Sequence, residues 1–190
     1  MPLPWDFRPI EGGRVRLDAM RSDDFDALYA LHSDPEVCRY LLFEPRSAEQ
    51  VAAVLERDAP KTRLEKVDDY IQPAIRLRDG DGGLVGTMYL HLTSVDDRTA
   101  EIGWLVGPSF QGRGYARECA ELLLELSFGE LGLHRVHAEL DPRNAASVAV
   151  CVRLGMRHEA TFVEHMWLKG EWTDTGIYAI LEREWADRQR

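Results

Sequence analysis

Apolar residues change their spacing several times along the chain, and each change marks an element. Residues 14–17 alternate (Arg14, Val15, Arg16, Leu17) and predict a short opening strand. The spacing then lengthens. Phe25, Leu28, Tyr29 and His32 fall on one helical face, with Ser22 as the cap and Asp23 and Asp24 in the first turn, where carboxylates suit the positive helix end. Asp34 and Pro35 break that helix. Ser47 and Gln50 form a capping box ahead of a second helix carrying Val51, Val54 and Leu55. From residue 70 a period of two takes over. Residues 70–77 and 84–92 read as strands around the turn at 79–83, and Asp96, Asp97 and Arg98 turn the chain into a third strand over 99–107. Such short connections make the three an antiparallel meander.

The helical period returns over 114–128, with Ala116, Cys119, Ala120, Leu123 and Ser127 on one face and Glu118, Glu121 and Glu125 on the other. A strand at 135–140 precedes a helix at 144–154, capped by Asn144 and stopped by Gly155. Residues 159–168 and 172–181 close the chain as a hairpin about a turn at 169–171. The order β-α-α-β-β-β-α-β-α-β-β predicts an α+β fold, a mixed, mostly antiparallel sheet of about seven strands flanked by about four helices. No repeat or linker interrupts it, so residues 1–190 read as a single domain.

Composition narrows the function classes. The chain is 45% hydrophobic and 29% charged, which is ordinary globular usage, and its length can bury a core without disulfides or metal. A net charge of −10 argues against nucleic-acid or anionic-membrane binding and favours a cationic partner. No apolar run approaches the roughly 20 residues of a membrane helix. The N-terminus lacks the basic start and apolar stretch of a secretory signal, so a cytoplasmic location is expected. Cys38, Cys119 and Cys151 lie far apart without metal-ligand spacing, which predicts reduced thiols and no metal site.

The stretch with chemistry in it runs from Glu101 to Ala116. A strand ends near Val106, a loop holds Gly107, Gly112 and Gly114, and a helix begins at once. Free N–H groups at such a junction, with the helix dipole, make a site for phosphate oxygens, to which Arg113 and Arg117 could add charge. A plain turn has the same pattern. A P-loop is excluded by the missing Gly-Lys-Ser/Thr, and a dinucleotide fold by the antiparallel meander that precedes the loop.

Downstream lie Asn144 and Ser147, then Leu154, Gly155 and Met156. Together with residues 14–17, Ser33 to Val37, Gln111 to Ala116, Lys169 to Trp172, and the Glu184-Trp185 tail, the chain resembles the GNAT N-acetyltransferase superfamily, and within it the RimJ/RimL-like branch of ribosomal-protein and related N-acetyltransferases. The resemblance implies a sheet splayed between its fourth and fifth strands with acetyl-CoA in the opening. It implies pyrophosphate binding by the backbone of Gln111, Gly112, Arg113, Gly114, Tyr115 and Ala116, and strand-like pairing of the pantetheine arm with Leu105 and Val106. Asn144 matches the family's asparagine beside that arm, and Ser147 its serine near the sulfur. The implied activity is acetyl transfer to a primary amine, of a protein N-terminus or a small molecule, by direct attack in a ternary complex. Glu139 matches a catalytic glutamate of some ribosomal-protein acetyltransferases. Cys151 stands where many members carry an acidic tyrosine, which leaves Ser147 as the proton donor. A homodimer is compatible with the likeness.

On the residues alone, alternatives stay open. Asn144 is also a plain helix cap. Glu139 is also an outward carboxylate, since alternation sets it opposite Ala138 and Leu140. Glu101 and His91 are weaker candidate bases. Trp104 is the one aromatic assigned to the acceptor pocket; Cys151 reads as packing, and Glu164, His165, Glu171 and Asp174 as a solvated loop face. Two competing readings are a non-catalytic CoA-binding module on the same fold and an interaction domain that binds no CoA.

Overall fold

The computed structural model describes residues 1–189. Its strands are β1 (Trp5–Asp6), β2 (Ile10–Glu11), β3 (Val15–Asp18), β4 (Arg63–Leu64), β5 (Tyr70–Ile71), β6 (Ala74–Leu77), β7 (Leu84–Ser94), β8 (Thr99–Val106), β9 (Arg135–Leu140), β10 (Arg157–Leu168) and β11 (Glu171–Leu181). Its helices are α1 (Phe25–His32), α2 (Pro35–Cys38), α3 (Ala48–Asp58), α4 (Tyr115–Glu125), α5 (Ala145–Leu154) and α6 (Glu182–Arg188). The main sheet runs β10-β11-β9-β8-β7-β6-β3-β2, with β5 paired to β7 beside β6.

The meander appears as β6, β7 and β8, all antiparallel. Three departures from the sequence reading have local causes. Residues 70–77 divide into β5 and β6 because Pro73 has no N–H for the ladder; its carbonyl instead accepts from Met88 N at 2.8 Å. Pro35 starts α2 rather than merely breaking α1, since the Asp34 carboxylate accepts from the Glu36 and Val37 amides and proline tolerates the first helical turn. The cap assigned to Ser22 is corrected: residues Ser22–Asp24 form a 3₁₀ turn and α1 begins at Phe25. There the Asp24 carboxylate accepts from Arg21 N and forms a buried, bidentate pair with Arg76 of β6 at 2.8 Å. That partner lies 52 residues away, out of reach of local pattern.

Alternation along β7 and β8 sends opposite sets of side chains to the two faces. Met88, Leu90, Leu92, Ala100 and Ile102 pack with Cys119, Ala120, Leu123 and Leu124 of α4 and Cys151 and Leu154 of α5. The other face meets α1 and α3 through Leu28, Leu31, Val51, Leu55, Leu84 and Leu105. Leu123 is fully buried. Burying such a side chain is worth about 1.5–3 kcal/mol, and its truncation to alanine costs about 2–5 kcal/mol.

One pairing is short. β8 and β9 run parallel and pair only at Thr99↔Arg135, Ala100↔Val136 and Glu101↔His137. Past Glu101 and His137 the two strands no longer pair, so a gap opens in the sheet toward their C-terminal ends.

Candidate active site

The gap is edged by β8. Gly107 N donates to Val85 O at 2.9 Å, and Met88, opposite Trp104, donates to Pro73 instead of to β8. In an antiparallel ladder these two bonds set the phase. Leu105 therefore turns its main chain toward β7, where its carbonyl lies so close that a Cβ on Gly86 would sit 2.2 Å from it. Trp104 and Val106 present theirs to the gap. Of the two residues expected to pair with a ligand arm, the structure points Val106 at the opening and Leu105 away, and it adds Trp104.

At the mouth of the gap, Gly112 and Gly114 have φ of 72° and 83°. The left-handed region is costly for a residue with a Cβ, and two such turns within three residues fold the loop back so that its amides converge. The N–H groups of Gly112, Arg113, Gly114, Tyr115 and Ala116 donate to no protein acceptor among the described residues. Gln111 differs: its amide donates to Pro108 O at 3.2 Å and its Nε2 to Val106 O at 2.9 Å, which braces the loop against the strand end. Arg117 is held by Glu121 at 2.8 Å. Sequence reading missed Arg14. Its main-chain N and its Nε donate to the Glu118 carboxylate at 2.7 and 2.8 Å, and its Nη1 donates to Arg113 O at 3.0 Å. The guanidinium lies 5.0 Å from the Tyr115 ring centre, tying the loop to the sheet and adding positive charge beside it.

Across the gap, Asn144 Oδ1 accepts from Ser147 N at 3.1 Å, so it does serve as the cap of α5. Trp104 Nε1 donates to Ser147 Oγ at 3.3 Å. That bond occupies a lone pair and leaves the Ser147 hydroxyl hydrogen free to donate elsewhere. Cys151 is fully buried, and burial pushes its thiol up to about 12. It stays a protonated packing residue, not a nucleophile.

The face of the sheet opposite α4 and α5 carries a row of polar side chains at the apex of the gap. Tyr70 is in register with His91, His91 with Glu101, and Glu101 with His137, across β5, β7, β8 and β9. Glu139 follows on the same face of β9 and sets Oε1 3.8 Å from His137 Nε2. Burial, reinforced by the negative charge of Glu139 and opposed by His91, raises the pKa of Glu101. Burial, with Arg135, lowers that of His137. Burial and then Glu101 push the Tyr89 phenol up to about 12. Glu139 is thus an exposed carboxylate opposite Ala138 that also faces Glu101. Lys169, at the tip of the β10–β11 hairpin, donates to the carbonyls of Cys38, Arg39 and Leu41 and ties that tip to the end of α2.

Residues 14–157 match the model of the acetyltransferase (GNAT) domain. The chain belongs to the GNAT acetyltransferase family. The uncharacterized N-acetyltransferase YnaD of Bacillus subtilis is 35% identical to it over 172 residues, which are 90% of this chain and 96% of that protein. A solved GNAT-family acetyltransferase from Bacillus anthracis superposes with a TM-score of 0.82 at 29% identity, covering 93% of this chain and all of that one. The spermidine N-acetyltransferase of Vibrio cholerae, solved with CoA and spermine, has the same fold (TM-score 0.77, 21% identity, 91% and 98% covered). N-acetyltransferase activity on the GNAT fold follows, with acetyl-CoA as the donor this family uses. Among the described residues no cluster of His, Cys, Asp or Glu fits a metal ion, and no helix is long and apolar enough to cross a membrane.

Proposed function

We propose that this GNAT domain, acting as one unit of the RimJ/RimL-like type, transfers an acetyl group from acetyl-CoA to a primary amine by direct attack in a ternary complex. The observation that carries the reading is the run of unpaired amides from Gly112 to Ala116 at the mouth of the β8–β9 gap. Donors in that geometry bind an anion, and a diphosphate matches their span and the positive helix end. The main chains of Trp104 and Val106 would hold the pantetheine arm as an added strand, with Asn144 and Ser147 on its other side.

The bound thioester supplies an activated acyl carbonyl. The chain's residues do the rest. Val106 N–H faces the gap and donates to the carbonyl oxygen as charge develops. Glu101, at the apex of the gap, takes the amine proton; its raised pKa brings it nearer the operating pH, where a general base works best. Glu139, suggested by the family likeness, contributes negative charge that draws an ammonium to the site and keeps Glu101 basic. Ser147, oriented by Trp104, returns a proton to the departing sulfur.

The carboxylates of Glu101 and Glu139 and the net charge of −10 favour a cationic acceptor, whether a protein N-terminus or a small-molecule amine. The exposed β10 edge, with Phe162 and Trp167, supports pairing with a second copy, which sedimentation at varied concentration would measure. The test of the function is direct. Acetyl-CoA should raise the melting temperature, and an amine panel should release free CoA thiol only when enzyme and acceptor are both present. No thiol release with any amine, despite a melt shift, would reduce the protein to a CoA-binding module.

A further inference from the structure

A base at the apex of a gap must return its proton to water on each turnover. Glu101 keeps part of its side chain exposed, and the structure offers a second route beside it. His91 Nδ1 is buried and faces Glu101 Oε2 at 3.7 Å, just past hydrogen-bond length, while its Nε2 lies 3.4 Å from Asp68 Oδ1. Asp68 is 84% exposed. Its backbone has φ of 69°, a strained conformation for a residue with a side chain, and it is clamped by Asp68 N donating to Leu92 O at 2.9 Å and Leu92 N donating to Asp69 O at 2.9 Å. That turn sets a carboxylate at the solvent end of a half-buried imidazole whose other nitrogen, itself buried, looks at the candidate base.

We propose that His91 and Asp68 form a proton exit, carrying the acceptor's proton from Glu101 to bulk water on the side of the sheet away from the cofactor. This rests on the acetyltransferase reading and adds a pathway to it. The steps balance. The ammonium of the acceptor gives H⁺ to the Glu101 carboxylate, and the freed amine attacks. Glu101 O–H then passes its proton to the Nδ1 lone pair of His91, giving a carboxylate and an imidazolium. The imidazolium loses its Nε2 proton to Asp68 and thence to water, and exchange with water, in which Nε2 regains a proton as Nδ1 gives one up, restores the starting tautomer. Other groups around His91 do not compete for the proton. Tyr70 of β5 is engaged with Asp58 of α3 at 2.7 Å and lies under Lys61, while Tyr89 of β7 is a phenol that stays protonated. His137 and Glu139 of β9 lie beyond Glu101, on the far side from His91.

The experiment is steady-state kinetics at neutral pH with acetyl-CoA and an amine that the wild type accepts, repeated at rising concentrations of imidazole. His91→Gln should lower kcat about 10–10²-fold with KM for acetyl-CoA unchanged. His91→Ala should show the same loss and regain rate as imidazole enters the vacated space. Asp68→Asn, at an exposed position where folding is not in question, should lose kcat several-fold and regain it with buffer concentration. Wild-type kcat in both His91→Gln and Asp68→Asn, or losses that no buffer base restores, would overturn the exit while leaving the transferase reading intact. A wild type that acetylates no amine would overturn both, and is distinguished by failing before any variant is compared.

Discussion

Substituting Gly114 tests the cofactor placement most sharply. Gly114 caps α4 with φ of 83° and ψ of 8°, and a Cβ there would meet only Arg14 Nη2 at 3.5 Å, an ordinary contact. Gly114→Ala therefore costs roughly 1 kcal/mol of left-handed strain, in the free and the bound protein alike. Gly114→Glu adds a carboxylate at the mouth of the amide nest. Two unit charges about 5 Å apart at an effective dielectric of about 20 repel by ~3 kcal/mol. A diphosphate doubles that and solvent exposure of the loop roughly halves it, so about 3 kcal/mol remains, or roughly 10²-fold in affinity. With acetyl-CoA at about 100 times the wild-type Kd, binding stabilises the wild type by ~2.7 kcal/mol, a melting shift of about 5–11 °C for a domain of this size. In Gly114→Glu the same ligand concentration should give ~0.4 kcal/mol, or about 1–2 °C. Gly114→Ala should melt about 2–4 °C lower without ligand and keep the full shift. Thermal melts with and without acetyl-CoA read all three. A full shift in Gly114→Glu would refute the placement of the diphosphate on these amides.

Glu101→Gln should lower kcat by about 10²–10⁴-fold while raising the melting temperature at neutral pH. The raised pKa means that the folded state resists the Glu101 charge, so the variant's advantage is present above the folded pKa and vanishes as acid protonates the wild-type carboxylate; an unchanged or lower melt at pH 7 would contradict the assigned burial and repulsion. Trp104→Phe keeps the ring but loses the donor to Ser147 Oγ, and should reduce kcat about 5-fold with the acetyl-CoA melt shift intact. His32 is buried beside Arg46, and burial and then that charge lower its pKa to about 4. A depressed histidine stabilises the fold above about pH 6.5 and loses that contribution as pH falls through about 4, here about 3 kcal/mol in all. The melting temperature of the wild type should fall across that window, and His32→Gln should flatten the fall.

Much of this molecule is written in short-range pattern. The glycines at 112 and 114, the alternation of β7 and β8, and the cap of α5 by Asn144 each follow from residues a few positions apart, because backbone strain, pleat and capping are local. That is why the glycine loop and the meander could be found by reading along the chain. The different surroundings of Glu139 and Glu101 show where such reading stops. Both are strand carboxylates with alternating neighbours, and nothing nearby in sequence tells which one is the more sheltered.

That distinction comes from register. His91, Glu101 and His137 belong to three strands and become neighbours only when β7, β8 and β9 pair as they do. A slip of one residue would move any of them to the opposite face. The same holds for Arg14 with Glu118, 104 residues apart, and Arg76 with Asp24. Chain order alone determined most of the longer elements, their sequence and the glycine loop, because those depend on φ, periodicity and hydrogen-bond supply within a few residues. Tertiary structure decided which carboxylate is sheltered at the apex of the gap and which side chains stand beside it, because burial and charge proximity are properties of assembled strands.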